Sequence, residues 1–205
     1  MQSQVLEQAQ ASGLSIDAAA AEHLARFLTL LMRWNRVHNL TAVESVGELI
    51  RRHLLESLAL RGFLRGSRIA DVGSGAGLPG IPLAVTEPAL QFTLIESRAK
   101  RVAFLRHVQG SLGLANVTIE HGRVEDLRDL APFDTVLARA VAPLPEVVAM
   151  TRHLLGENGI LLVPTKADFD GELDGIAADL RVRRIVGETT ALLRGALVAV
   201  ERTAQ

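Results

Sequence analysis

The chain has 205 residues, of which 48% are hydrophobic and 3% aromatic, and it is long enough for one domain with an ordinary core. No apolar run approaches the roughly 20 residues a bilayer span needs, and MQSQVLEQAQ has neither the basic start nor the apolar middle of a signal peptide, so a soluble cytoplasmic protein without a membrane partner is expected. The absence of Cys removes disulfides, thiolate metal sites and thiol nucleophiles; no metal is expected, and a net charge of -1 confines any nucleic-acid contact to a local patch.

Along the chain, IDAAAAEHLARFLTLLMRWNRVHNL places Ile16, Ala20, Leu24, Phe27, Leu31 and Trp34 three or four residues apart. That spacing predicts an amphipathic helix starting near Ser15 or Asp17. VGELIRRHLLESLALRG repeats it through Ile50, His53, Leu54 and Leu58, so residues 1–66 read as a helical region. After Gly66 the texture changes to short apolar segments, RIADVG, FTLIES, NVTIEH, FDTVLA and GILLVP, with helical stretches between them. This is the cadence of a parallel sheet built from βαβ units. VRRIVGE and GALVAVE lie close enough in sequence to pair antiparallel, adding an edge to a mostly parallel, seven-stranded sheet over residues 67–205.

RIADVGSGAGLPGIPLA carries the first ligand signal. Its glycines follow the first strand, where a tight turn delivers the chain into a helix and missing Cβ atoms let a ligand approach backbone N–H groups. GAGLPG formally matches the dinucleotide pattern GxGxxG, but the strand ends near Val72, so the turn begins at Gly73 and its sixth position is Leu78. The resulting D-x-G-x-G-x-G, with Asp71 in the strand end and Gly75 where backbone meets ligand, resembles the nucleoside-binding turn of S-adenosylmethionine methyltransferases. A turn that binds nothing is the alternative. Glu96 closes the second strand about 20 residues later, where a carboxylate accepts ribose hydroxyls in both NAD and S-adenosylmethionine sites. Glu125 and Asp126, beyond the third strand, add a second acidic stop near an adenine position. No Gly-Lys-Ser/Thr follows the glycines, which excludes a P-loop.

Arg139 emerges at the carboxyl end of the fourth strand, in FDTVLARAVAPL, where its forked donors suit a cofactor or substrate anion. The Asn/Asp-Pro-Pro-aromatic motif of exocyclic-amine methylation is absent, as is the Cys needed to attack pyrimidine carbon 5. A heteroaromatic nitrogen such as guanine N7 remains; it has a free lone pair and needs positioning more than a base. WNRVHNLTA, RRHLLES, DVGSGAGLPGIPLA, ESRAKRVAFLR, GRVED and ARAVAP, in this order, resemble the ribosomal RNA small subunit methyltransferase G (glucose-inhibited division protein B) family. The resemblance implies a class I, Rossmann-like S-adenosylmethionine fold with an N-terminal helical extension, methylating guanine N7 in 16S ribosomal RNA of the small ribosomal subunit. It implies cofactor contacts at Gly73, Leu78, Val124, Glu125 and Arg139, with no catalytic side chain assigned. PTKAD departs from the family's usual Met-Lys-Gly or Leu-Lys-Gly, which leaves Lys166 without an inherited role.

An RNA substrate requires a basic surface. Between His23 and Arg68 there are eight Arg against Glu44, Glu48 and Glu56, and Arg98, Lys100, Arg101 and Arg106 form a second cluster. Arg51, Arg52, Arg98 and Arg101 are the candidate phosphate contacts, and solvated helix faces are the alternative for each. His53, on an apolar stripe, reads as a packed interdomain histidine rather than a base, and the protein is expected to be a monomer. Two rival functions stay open on the residues alone: a small-molecule methyltransferase or NAD oxidoreductase, and a non-catalytic RNA-binding module.

Overall fold

In the computed structural model, which describes residues 1–43, 45–130, 132–139, 142–165, 179–186, 189–193 and 195–202, helices precede the sheet as the periodicity predicts. The first, α1, spans Gln2–Ala11. The second, α2, spans Ala18–His38 and starts where Asp17 caps it, its side chain accepting a 2.7 Å hydrogen bond from Ala20 N. It stops at Asn39, whose left-handed φ of 48° ends the helix as a glycine would. The segment expected to form one further helix is divided: α3 (Val46–Leu49), a π-helical stretch (Ile50–Leu54) and α4 (Leu55–Ala59). The wider turn lets Leu54 and Leu55 both bury while His53 stays half-buried at the margin.

The strands are β1 (Arg68–Val72), β2 (Gln91–Glu96), β3 (Val117–His121), β4 (Phe133–Ala138), β5 (Leu155–Thr165), β6 (Leu180–Ile185) and β7 (Ala196–Arg202). They form one seven-stranded sheet in the order β3-β2-β1-β4-β5-β7-β6. The pairings from β3 to β5 are parallel, and β7 runs antiparallel to both β5 and β6, one place in from the edge strand. The helices α5 (Gly80–Thr86), α6 (Ala99–Leu112) and α7 (Leu144–Thr151) follow β1, β2 and β4. Central β1 is buried from Ile69 to Val72, as a parallel strand covered on both faces must be.

One apolar cluster runs from Leu24, Phe27 and Leu31 of α2 through Leu54 and Leu58 to Ile69, Phe92 and Phe104. The N-terminal helices therefore share the sheet's core instead of resting on its surface. Trp34 fastens α2 to α6, its ring 5.5 Å from Phe104 and 5.6 Å from His107. A second cluster, including Val72, Val136, Leu161 and Val148, fills the α7 side. Strand order reverses direction between β1 and β4, so a crevice opens at their carboxyl ends. Among the described residues, no helix is long and apolar enough to cross a membrane.

Candidate cofactor site and the cap that faces it

The turn after β1 is a run of left-handed glycines, with φ of 68° at Gly73, 57° at Gly75 and 80° at Gly77. It ends at Gly80, the first residue of α5, where a Cβ would lie 2.6 Å from Asp71 Oδ2. The missing side chain leaves room for the carboxylate there, and Gly80 N donates to Asp71 Oδ2 at 3.0 Å, tying strand end to helix start. Burial pushes the Asp71 carboxyl up to about 7, against the lowering effects of the Gly80 N–H and the Arg139 charge.

Glu96 is 3% exposed. It is held by main-chain donors: Gly75 N reaches Oε2 at 2.9 Å and Arg98 N reaches Oε1 at 2.8 Å. A carboxylate offers about four lone-pair sites, so these two bonds leave acceptor capacity on the acid, with Arg101 Nη1 3.5 Å from Oε2. Beside it, a cleft of about 280 Å³ is lined by Gly73, Ile95, Ser97, Val124, Glu125 and, from α7, Glu146. Val124 and Glu125 lie in a short 3-10 turn that follows β3. The sites predicted at Gly73, Glu96, Val124 and Glu125 thus meet at neighbouring strand ends.

Gly75 and Leu78 are placed differently. The Gly75 N–H is engaged by Glu96, so the main chain there holds the acid. Leu78 packs into the core, 6% exposed, and its N–H donates to Ser74 O at 3.2 Å. It closes the turn from below. Lys166 lies outside the described residues.

Arg139 follows β4 and turns towards the helices. Its Nη1 donates to Glu56 Oε2 at 3.3 Å and its Nη2 donates to His53 Nδ1 at 3.3 Å. A guanidinium only donates, so His53 Nδ1 accepts and Nε2 carries the proton, donating to Thr41 Oγ1 at 3.3 Å. Thr41 is fixed in turn, its N–H donating to Asn35 Oδ1 at 2.8 Å. Burial first, then the charges of Arg139 and Arg52, push the His53 imidazole down to about 4, so it bridges as a neutral ring. Desolvation likewise lowers the Arg139 pKa, and Glu56 and Asp71 oppose that shift. Single-residue inspection missed Asn35, Thr41 and Glu56. Their signal in the chain was their place within WNRVHNLTA and RRHLLES, and only the fold links these residues to Arg139. A larger cleft of about 620 Å³, lined by Asn35, Arg36, Asn39 and Thr41, opens on the cap side of this relay and not at the strand ends.

The arginines sort by partner. Arg52 is held by Glu48 at 2.6 Å, Arg61 by Glu87 and Arg65 by Glu201. Arg101 lies 3.5 Å from Glu96 Oε2, which makes it a neighbour of the acid instead of a bare phosphate contact. Arg98 is exposed and opens α6. Arg33, Arg36 and Arg51 are exposed and carry no ion pair among the described residues.

The same architecture occurs in a solved methyltransferase of Geobacter sulfurreducens, with a TM-score of 0.61 at 16% identity over 92% of this chain and 98% of that one. An SAH-bound methyltransferase of Podospora anserina gives a TM-score of 0.58 at 16% identity, covering 87% of this chain and 88% of its own. The fold is that of a class I methyltransferase, and S-adenosylmethionine is the cofactor of the class. A family model for rRNA small subunit methyltransferase G matches residues 20–183. A Halorhodospira halophila protein named Ribosomal RNA small subunit methyltransferase G is 50% identical over 149 residues, 73% of this chain and 71% of its own. The chain belongs to the ribosomal RNA small subunit methyltransferase G family.

Proposed function

We propose that this enzyme methylates N7 of a guanine in 16S ribosomal RNA, with the cofactor lying along the strand ends and the helical cap turned towards the RNA. One observation carries the reading: Val124 and Glu125 after β3, Glu96 on β2, Gly73 after β1 and Arg139 after β4 occupy four adjacent strand ends. Three inter-strand spacings of about 4.8 Å make that row about 14 Å long, which suits an extended nucleoside joined to an amino acid. In this arrangement Glu125 and the Val124 main chain hold the adenine end, Glu96 accepts the ribose hydroxyls and Arg139 neutralises the carboxylate. Bound S-adenosylmethionine supplies an electrophilic methyl group on a sulfonium.

Guanine N7 has no proton to lose, so the side chains need only hold the reacting atoms in line. His53 fits that economy: both ring nitrogens are engaged, and its depressed pKa gives it no proton to exchange near neutrality. On the RNA side, Arg36 lines the cleft beside Asn39, and Arg33, Arg36 and Arg51 are exposed without an ion pair among the described residues. Arg98 is exposed as well. A ribosomal substrate makes the cytoplasm the place of action.

The test is methyl transfer to small-subunit RNA from a strain lacking this protein, with the modified base mapped. Incorporation at guanine N7 is expected, and an exocyclic amine as acceptor would overturn the assignment. In Asp71→Asn, which removes a buried carboxyl that titrates at about 7, single-turnover rates should be nearly flat from about pH 6.5 to 8.5, because no base titrates in the transfer step. A limb of unit slope that survives in Asp71→Asn and disappears in His53→Gln would make His53 a base and N7 the wrong atom.

A further inference from the structure

We propose that His53 and Glu56 are positioning residues for Arg139, gripping its guanidinium from the cap so that the remaining donors face the cofactor carboxylate; this rests on the reading of Arg139 as a cofactor contact. Pairing with β1 and β5 fixes the β4 backbone as far as Ala138. The side chain of the next residue is long and gains no orientation from the sheet. Its two terminal nitrogens are instead held separately, Nη1 by Glu56 Oε2 and Nη2 by His53 Nδ1, each at 3.3 Å. Anchors at both prongs set the plane of the fork as well as its position. Five N–H donors belong to a guanidinium, so two bonds to the cap do not exhaust it.

The grip is itself braced. His53 Nε2 donates to Thr41 Oγ1, and that hydroxyl also accepts from Val43 N at 3.2 Å. Asn35 Oδ1 holds the Thr41 N–H. The Arg139 and Glu56 side chains are 22% and 15% exposed, so the ion pair is shielded and directional. The charge of the buried Asp71 also acts on the same guanidinium. Burial keeps His53 an acceptor at neutral pH. His53 also lies in the π-helical stretch, where the altered turn sets its direction.

Amide substitutions separate positioning from packing. Asn places an oxygen near the position of Nδ1, and Gln places its amide near Nε2, so His53→Asn keeps the acceptor for Arg139 while His53→Gln keeps only the link to Thr41. We expect calorimetric titration of the whole chain with S-adenosylmethionine to show a loss of at least tenfold for Arg139→Ala. Losses of roughly three- to tenfold are expected for Glu56→Gln and His53→Gln, with His53→Asn retaining at least threefold more affinity than His53→Gln. In an Arg139→Ala background, Glu56→Gln and His53→Gln should cost nothing more. Melting of each variant without cofactor shows that it is folded, and isosteric Glu56→Gln carries the test if the histidine variants are not. Equal losses for Asn and Gln, or losses that persist without Arg139, assign a packing role and overturn the proposal. Full affinity in Glu56→Gln and His53→Gln, alongside a weakened Arg139→Ala, overturns positioning alone. Full affinity in Arg139→Ala removes the cofactor reading of Arg139, and the proposal with it.

Discussion

On the β1–β2 side of the crevice, carboxylates are held by main-chain N–H groups close in sequence: Asp71 by Gly80, nine residues on, and Glu96 by Arg98, two residues on, and by Gly75, 21 residues back. On the β4 side, Arg139 is held by the side chains of Glu56 and His53, which precede it by 83 and 86 residues. A backbone-held acid is rigid because its donors belong to the turn, and it is damaged chiefly by changes to the turn itself. A side-chain-held base depends on the docking of a separate element, and each member of its relay can be changed without altering the main chain. The two halves should therefore fail in different ways.

The largest effect is expected on the backbone-held side. Glu96→Ala removes the acceptor proposed for the ribose and leaves the Gly75 N–H without its carboxylate. Affinity for S-adenosylmethionine should fall about a hundredfold, roughly 2.7 kcal/mol. Calorimetry that found parent-like affinity would move the cofactor away from this strand end. Gly75→Val comes next, with more than a tenfold loss, about 1.4 kcal/mol. A Cβ there would meet nothing closer than 3.7 Å, so the damage comes from forcing a β-branched residue to a φ of 57° and shifting the N–H that holds Glu96. If the folded Gly75→Val protein bound as the parent does, the turn would not shape the site.

Stability against pH should separate the halves without any ligand. Asp71 titrates near 3.8 when unfolded and about 7 when folded. Between those values the folded chain keeps a proton that the unfolded chain has lost, so this group's effect is a fall in stability as pH rises. His53 goes from 6.5 unfolded to about 4 folded, so its contribution is complete above 6.5 and is lost as pH falls towards 4. The two oppose each other over most of the acid range. Asp71→Asn keeps an oxygen for Gly80 N and removes the buried charge. In urea denaturation at pH 8 it should be more stable than the parent by about 1–3 kcal/mol, and the rise due to His53 should remain on its own between about pH 4 and 6.5. A variant that tracked the parent at every pH would show that Asp71 ionises normally.

The smallest effects belong to the surface. Replacing Arg51 and Arg52 together should reduce the salt slope of RNA binding by roughly one unit for each phosphate that is no longer neutralised, with S-adenosylmethionine affinity unchanged. Replacing Arg98 and Arg101 should change both, because Arg101 stands 3.5 Å from Glu96. An unaltered salt slope for the first pair would return these side chains to an ordinary solvated face.

How far the sequence could be read follows the same division. The helix start at one of Ser15 and Asp17, the turn at Gly73, the acid closing β2 and the antiparallel pairing of β6 with β7 are all decided by residues near one another, and each was legible. The π-helical stretch was not, because a repeat of three and four residues does not show where packing inserts a wider turn. Nor was the Arg101–Glu96 pair, since a basic cluster looks alike whether it faces phosphate or acid.

By itself the sequence determined the parallel sheet, the glycine turn and the acids at its strand ends, because short continuous apolar runs, permitted φ and strand-end position are local properties of the chain. The tertiary structure decided that Leu78 closes the turn from the core, that Gly75 serves Glu96, and that Asn35, Thr41, His53 and Glu56 converge on Arg139. Hydrogen bonds between side chains more than 80 residues apart exist only once α2, the π-helical stretch and α4 have docked on the sheet through Phe27, Leu54 and Leu58. Their partners are set by where packing leaves each polar atom, and no local pattern in the chain carries that information.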